Sequence, residues 1–244
     1  MKLSIIIPAY NEINTISEII ERVRAVKLHI TTWGGEAQEQ ITTLEREIVV
    51  VDDGSSDGTR EYLATLKDDP DTQIIFHEAN QGKGGAVRTG LQAAKGDILL
   101  IQDADLEYDP RDYVALLQPI LENRTQVVYG SRFRGGPTKA MFFWHMLGNR
   151  FLTAVTNILY NTILTDMETC YKVFTHDVAE KLDLQARGWG FDPEITAQIL
   201  LSGYRVYEVP ISYTGREFVE GKKISWKDGL TVLFTLLKYR MTGF

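Results

Sequence analysis

Short apolar runs recur along the first half of the chain, each followed by a polar cluster and then by apolar residues at helical spacing. Residues 3–7 are apolar or small without a charged break, the pattern of a strand buried on both faces. Pro8-Ala9-Tyr10-Asn11-Glu12 ends that run, and Ile16, Ile19, Ile20 and Val23 follow with the period of an amphipathic helix. A second strand over residues 48–51 stops at Asp52-Asp53-Gly54-Ser55. Further strands are predicted over 73–76, 97–101 and 126–129, with helices over 59–66, 86–94 and 111–121. Such alternation predicts an α/β fold: a doubly wound, mostly parallel sheet flanked by helices.

Ligands of such sheets bind beyond the carboxyl ends of the strands. The polar clusters at 8–12, 52–56, 102–107 and 130–134 each follow a strand directly, so they are expected to converge on one edge. Residues 29–46 are polar with no core-facing period and predict an exposed excursion. After about residue 135 the pattern turns more helical, with aromatics at Phe142, Phe143 and Trp144. We read residues 1–244 as one domain, 1–135 forming a ligand-binding half and 136–244 a half with amphipathic helices.

Composition narrows the classes. A chain of 244 residues that is 44% hydrophobic and 24% charged is an ordinary folded domain. Its net charge of -7 argues against general affinity for nucleic acid or anionic lipid. Cys170 is the only cysteine, which excludes an internal disulfide and a thiolate zinc cage. The amino-terminal residues lack a signal-peptide pattern, and polar residues break every apolar stretch before spanning length. The expected location is cytoplasmic, either soluble or peripheral on the inner membrane face.

The chemistry-bearing residues sit in the strand-end clusters. Asp103 and Asp105 lie two apart after a buried run, where paired carboxylates repel and are costly to desolvate. A hard divalent cation resolves that conflict, because magnesium is typically held by one or two carboxylates plus substrate phosphates. Glu107 could add a ligand directly or through water. Read alone, the same pair also serves as turn residues ahead of the helix opened by Pro110. Asp53 fits a nucleoside contact or, equally, a helix cap with Gly54 permitting the turn. Lys83, between Gly82 and Gly84, fits a phosphate contact or a glycine-rich turn before a helix.

Taken in order, Pro8-Ala9-Tyr10-Asn11-Glu12, Val51-Asp52-Asp53-Gly54-Ser55, Asn80-Gln81-Gly82-Lys83-Gly84 and Gln102-Asp103-Ala104-Asp105 resemble family 2 glycosyltransferases of GT-A fold. Gly130-Ser131-Arg132, Asp166-Met167-Glu168-Thr169-Cys170-Tyr171-Lys172 and Val209-Pro210-Ile211 make the chain similar to the dolichol-phosphate mannose and glucose synthase branch. The resemblance implies a Rossmann-like mixed sheet and donor contacts at Pro8, Tyr10, Glu12, Val51, Asp53, Lys83, Asp103, Ala104, Asp105 and Arg132. It implies Mg²⁺ or Mn²⁺ at Asp103 and Asp105, a phosphate-binding role for Arg132, and basic donor contacts at Arg216 and Lys222, with Lys223 adjacent. Asp166 is expected to orient the acceptor or the reacting sugar.

The implied reaction is inverting transfer of a hexose from a nucleotide-sugar of the GDP-mannose or UDP-glucose type to a polyprenyl phosphate. A saccharide, protein or small-molecule hydroxyl is the alternative acceptor. A hydroxyl needs a general base, and Asp166, Glu168 and Asp192 are the carboxylates available; an ionised lipid phosphate needs none. His29, His77, His145 and His176 lie apart from the core motifs and read as structural or exposed. Two apolar stripes, Leu147-Phe151-Val155-Ile158-Leu159 and Trp226-Leu230-Leu233-Leu237, fit helices that either lie in a membrane interface or pack inward. An NAD-binding reading is disfavoured, since no G-x-G-x-x-G follows the first strand.

Overall fold

The computed structural model describes residues 1–33, 39–139, 142–215 and 226–243. Arg216, Lys222 and Lys223 lie outside the described residues. Nine strands occur among the described residues: β1 (Lys2–Ala9), β2 (His29–Trp33), β3 (Glu39–Thr43), β4 (Glu45–Asp52), β5 (Thr72–Phe76), β6 (Ile98–Ile101), β7 (Val127–Ser131), β8 (Lys172–Thr175) and β9 (Val206–Pro210). The helices are α1 (Ile16–Ala25), α2 (Thr59–Ala64), α3 (Lys83–Ala93), α4 (Tyr113–Leu121), α5 (Phe143–Tyr160), α6 (His176–Ala179), α7 (Phe191–Leu201) and α8 (Trp226–Thr242).

Seven strands form one sheet in the order β5-β4-β1-β6-β8-β7-β9. All neighbours pair in parallel except β8, which runs antiparallel to both β6 and β7. This is the mixed, mostly parallel GT-A sheet that the sequence predicts. The centres of β1, β4 and β6 are apolar because both faces are covered, and Ile5, Ile6, Ile7, Val49, Val50, Leu99 and Leu100 are fully buried. The chain passes from β1 outward through β4 to β5 and then returns to the opposite side of β1 as β6. The order therefore reverses between β1 and β6, which is where an open α/β sheet presents its crevice.

Two expectations change. Within residues 29–46, His29–Trp33 and Glu39–Thr43 pair as the antiparallel strands β2 and β3 ahead of β4, where a patternless excursion is expected from the sequence. Ile30 and Thr32 face inward, and Leu28 and Leu44 anchor the hairpin's base in the core. The second half also contributes β8 and β9, so a single sheet unites residues before and after 135.

The α5 helix packs Leu152, Val155 and Leu159 inward but leaves much of its apolar surface outside. Its buried residues are Thr153 and Thr156. Phe143, Trp144, Leu147, Phe151 and Ile158 are exposed, the last at 81%. Polar groups on the inward side organise the loop that precedes β8: Asn157 bonds both the carbonyl and the N–H of Leu164, and the Met167 N–H donates to Thr153. Helix α8 packs Val232 and Leu236 against Leu164 and Met167, while Leu230, Phe234, Leu237 and Met241 stay exposed.

Candidate functional site

The β1 and β4 ends are tied together at the switch point. Asn11, with φ of 56°, donates its N–H to the Ser55 hydroxyl, and its side-chain oxygen accepts from the Ser56 N–H. The Glu12 N–H donates to the Thr59 hydroxyl, and the Glu12 carboxylate accepts from Thr15. Tyr10 stands outside this lattice, 43% exposed at the end of β1. Pro8 is half-buried beside it, paired in register with Val51. Val51 and Ala104, both expected to touch the donor, are buried at 0% and 3% exposure.

Asp53 is buried and heavily engaged. Its carboxylate accepts from the Gln81 and Gly82 N–H groups, each at 2.8 Å, and lies 2.7 Å from His77 Nδ1. His77 therefore does accompany a core motif, contrary to the sequence reading. It is a buried support, also 2.9 Å from the Thr89 hydroxyl. The glycines of 82–84 admit a neighbouring segment: a Cβ on Gly82, at φ +81°, would come within 2.3 Å of the Arg187 carbonyl, and one on Gly84 within 2.2 Å of the Ala186 carbonyl. This loop is a close backbone crossing that launches α3 with Lys83 in its first turn.

Lys83 spans to the β6 end, where its ammonium lies 2.7 Å from the Asp103 carboxylate. Burial disfavours the Lys83 charge, but Asp103 foremost, with Asp192, outweighs it and holds the ammonium well above the usual lysine range. Asp105, two residues on and half-buried, accepts the Glu107 N–H at 3.1 Å. The Glu107 carboxylate accepts the Tyr213 hydroxyl at 2.8 Å. Among the described residues, no three His, Cys, Asp or Glu side chains are gathered to hold a metal. The donor set that remains, Asp103 and Asp105, suits a hard cation that completes its shell with phosphate oxygens and water.

Arg132, after β7, is joined to Asp166 in the loop before β8. Nε and Nη2 reach the two carboxylate oxygens at 2.7 Å each, and the Arg132 N–H adds a third bond at 3.0 Å. The Asn149 amide on α5 donates to the same carboxylate at 3.2 Å. Asp166 is fully buried. Burial opposes the Arg132 charge, yet Asp166 and then Tyr108 more than restore it, holding the guanidinium above its ordinary range. Because Asp166 occupies the Nε–Nη2 edge, the N–H groups it leaves unused are those of Nη1 and the second on Nη2. The Asp166 carboxylate thus fixes the direction of the Arg132 side chain.

A second buried pair lies alongside. Lys172, the first residue of β8 and fully buried, reaches Asp192 at 2.5 Å and also donates to the Thr169 carbonyl. Sequence reading missed this pair, since nothing short of the β8 placement brings residues twenty apart together. Cys170 is buried at 3% exposure, and burial followed by Asp103 pushes its thiol well above the usual range. It is inert packing, as expected. Among the described residues, Lys83, Arg132 and Lys172 are each paired with a carboxylate, so their charges are already compensated. A diphosphate there would need added positive charge, which a metal ion at Asp103 and Asp105 would supply.

Comparison with known proteins agrees with this geometry. Residues 4–183 match the family model for glycosyl transferase family 2. An undecaprenyl-phosphate mannosyltransferase of Micrococcus luteus is 30% identical over 235 residues, spanning 91% of this chain and 87% of that one. A dolichol-phosphate mannosyltransferase of Pyrococcus furiosus is 28% identical over 248 residues, spanning 98% of this chain but only 64% of its own length. Glucosyl-3-phosphoglycerate synthase of Mycobacterium tuberculosis superposes with a TM-score of 0.71 at 20% identity, over 97% of this chain and 80% of that one. The same enzyme has been crystallised with Mn²⁺, UDP and glucosyl-3-phosphoglycerate. At that identity the likeness establishes the fold alone.

Proposed function

The chain belongs to glycosyl transferase family 2, and from that premise we propose that it transfers a hexose from a nucleotide-sugar to a polyprenyl phosphate. The donor is of the GDP-mannose or UDP-glucose type, Asp103 and Asp105 hold Mg²⁺ or Mn²⁺, and anomeric configuration inverts. The observation that carries this reading is the closeness of the Asp103–Glu107 turn to the Arg132–Asp166 pair: Tyr213 donates its hydroxyl to Glu107, and its ring lies 5.2 Å from the Arg132 guanidinium. Both mannosyltransferase relatives act on polyprenyl-type phosphates by name.

Each residue then has a task. Tyr10 offers an exposed ring on which a nucleobase stacks, and Asp53 holds His77 and the 80–84 loop beneath it. A bound divalent ion supplies charge neutralisation to the leaving diphosphate. Arg132, aligned by Asp166, directs its remaining N–H groups to phosphate oxygens. The basic residues Arg216 and Lys222 add positive charge from the segment outside the described residues. An acceptor phosphate oxygen attacks the anomeric carbon as the bond to the diphosphate breaks, and no base is required.

The exposed apolar side of α5 supports a lipid acceptor. Its inward side carries Asn149 to Asp166, while Phe143, Trp144, Leu147 and Phe151 face out, one helix diameter (about 10 Å) away. With the exposed Leu230, Phe234 and Leu237 of α8, they form an apolar surface suited to the membrane interface and to a polyprenyl chain. No helix among the described residues is long and apolar enough to cross a membrane; the exposed apolar side chains of α5 and α8 are what support peripheral attachment.

Labelled GDP-mannose and UDP-glucose, each incubated with Mg²⁺ or Mn²⁺ and a short-chain polyprenyl phosphate, test the acceptor. One donor is expected to give an organic-extractable, sugar-labelled lipid. Transfer only to saccharide or other water-soluble hydroxyl acceptors, with no labelled lipid from either donor, would contradict the reading.

A further inference from the structure

The mechanism leaves one carboxyl of the site unused. Asp166 is committed to Arg132, and Asp192 to Lys172. Glu168 lies in the loop between these two pairs. It forms no ion pair within 4.0 Å among the described residues, and its Oε1 is buried without a hydrogen-bond partner. The next residue repeats the pattern, since Thr169 Oγ1 is also buried and unpartnered. Proteins almost always satisfy such atoms, so two in succession beside the reacting centre point to a ligand that supplies the partners. Glu168 still keeps part of its surface open.

We infer that Glu168 binds the acceptor phosphate as a neutral, protonated carboxyl, donating a hydrogen bond to a phosphate oxygen, with the Thr169 hydroxyl beside it. This rests on the polyprenyl phosphate reading above and makes Glu168 an acceptor-positioning residue. The groups facing it are Asp192 from α7, Lys172 from β8, Arg132 after β7 and Asp166 from its own loop. The two cations are already paired and do little to hold a third carboxylate in its charged form. Burial, and then the charge of Asp192, push the Glu168 carboxyl up to about 7, against the pull of Lys172 and Arg132. An arriving phosphate adds negative charge and strengthens its hold on the proton. The proton stays on Glu168 throughout: the phosphate oxygen forms the new glycosidic bond, and the nucleoside diphosphate leaves with the electron pair.

The sign of the pH effect follows. Below about 7 the carboxyl donates to the phosphate; above it, a carboxylate repels the phosphate. The test is the KM for polyprenyl phosphate at pH 6 and pH 8.5 in wild type, Glu168→Gln and Glu168→Ala, each shown to be folded by thermal melting. The acceptor's own ionisation is common to all three and cancels in the ratios. Glu168→Gln, an uncharged donor of the same shape, should match the wild-type KM within about threefold at pH 6 and fall about tenfold below it at pH 8.5. Glu168→Ala should raise KM about tenfold at pH 6, with that disadvantage gone at pH 8.5.

Two results would overturn the inference while leaving the polyprenyl phosphate reading intact. One is both variants tracking wild-type KM at both pH values, which makes Glu168 structural. The other is Glu168→Gln losing kcat a hundredfold at unchanged KM, which makes Glu168 a base. Wild-type protein that yields no lipid-linked product overturns both.

Discussion

Asp105→Ala is expected to lower kcat by about 10²- to 10³-fold, the scale of losing one electrostatic contact to a developing anion. The fold should survive, because Asp105 is only half-buried and lies in a turn, where it accepts the Glu107 N–H. Steady-state kinetics at saturating donor and acceptor, beside a melting curve, check both halves of this expectation. Asp105 is a cleaner probe than Asp103. Removing Asp103 also strips the partner from Lys83, so lost stability and lost catalysis would be mixed.

The second large effect falls on stability. Asp166→Ala leaves the Arg132 guanidinium, only 10% exposed, without its partner, at a cost of about 3–5 kcal/mol. For a chain of this length, that lowers Tm by roughly 6–15 °C. Replacing both members, Arg132→Met with Asp166→Leu, should recover much of the loss, since the uncompensated charge is gone. The double variant should remain inactive, because Arg132 is the group the pair exists to present. Thermal melts and transfer assays on the single and double variants separate the two roles. A Tm within about 2 °C of wild type for Asp166→Ala would show the pair to be solvated and weak.

The parts of this site that could be read from the sequence are those fixed by short-range pattern. Strands β1, β4 and β6 are buried on both faces, so they appear as unbroken apolar runs, and the polar clusters after them mark the sheet's carboxyl edge. Asp103 and Asp105 were legible for that reason. Strands β8 and β9 were not, because β8 is four residues long and opens on a buried lysine, and β9 carries the buried Glu208. The β2–β3 hairpin escaped notice because a two-stranded surface ribbon needs little apolar periodicity.

The pairings of Arg132 with Asp166 and Lys172 with Asp192 depend on β8 entering antiparallel between β6 and β7. No local spacing encodes that insertion. It decides which carboxylates are committed, turning three candidate bases into two ion pairs and one protonated group. The apolar stripes on α5 and α8 were visible, but their direction was not. Asn149, Thr153 and Asn157 settle it for α5 by bonding to the 164–167 loop, which turns Phe151 and Ile158 outward.

Calorimetric titration of GDP and UDP, with and without Mn²⁺ or Mg²⁺, into wild type and Asp105→Ala tests the diphosphate site most directly. One nucleotide should bind the wild type only when the divalent ion is present, and Asp105→Ala should weaken that binding at least about tenfold, or 1.4 kcal/mol. Binding of equal strength without metal, or undiminished in Asp105→Ala, would contradict a diphosphate site built on Asp103 and Asp105.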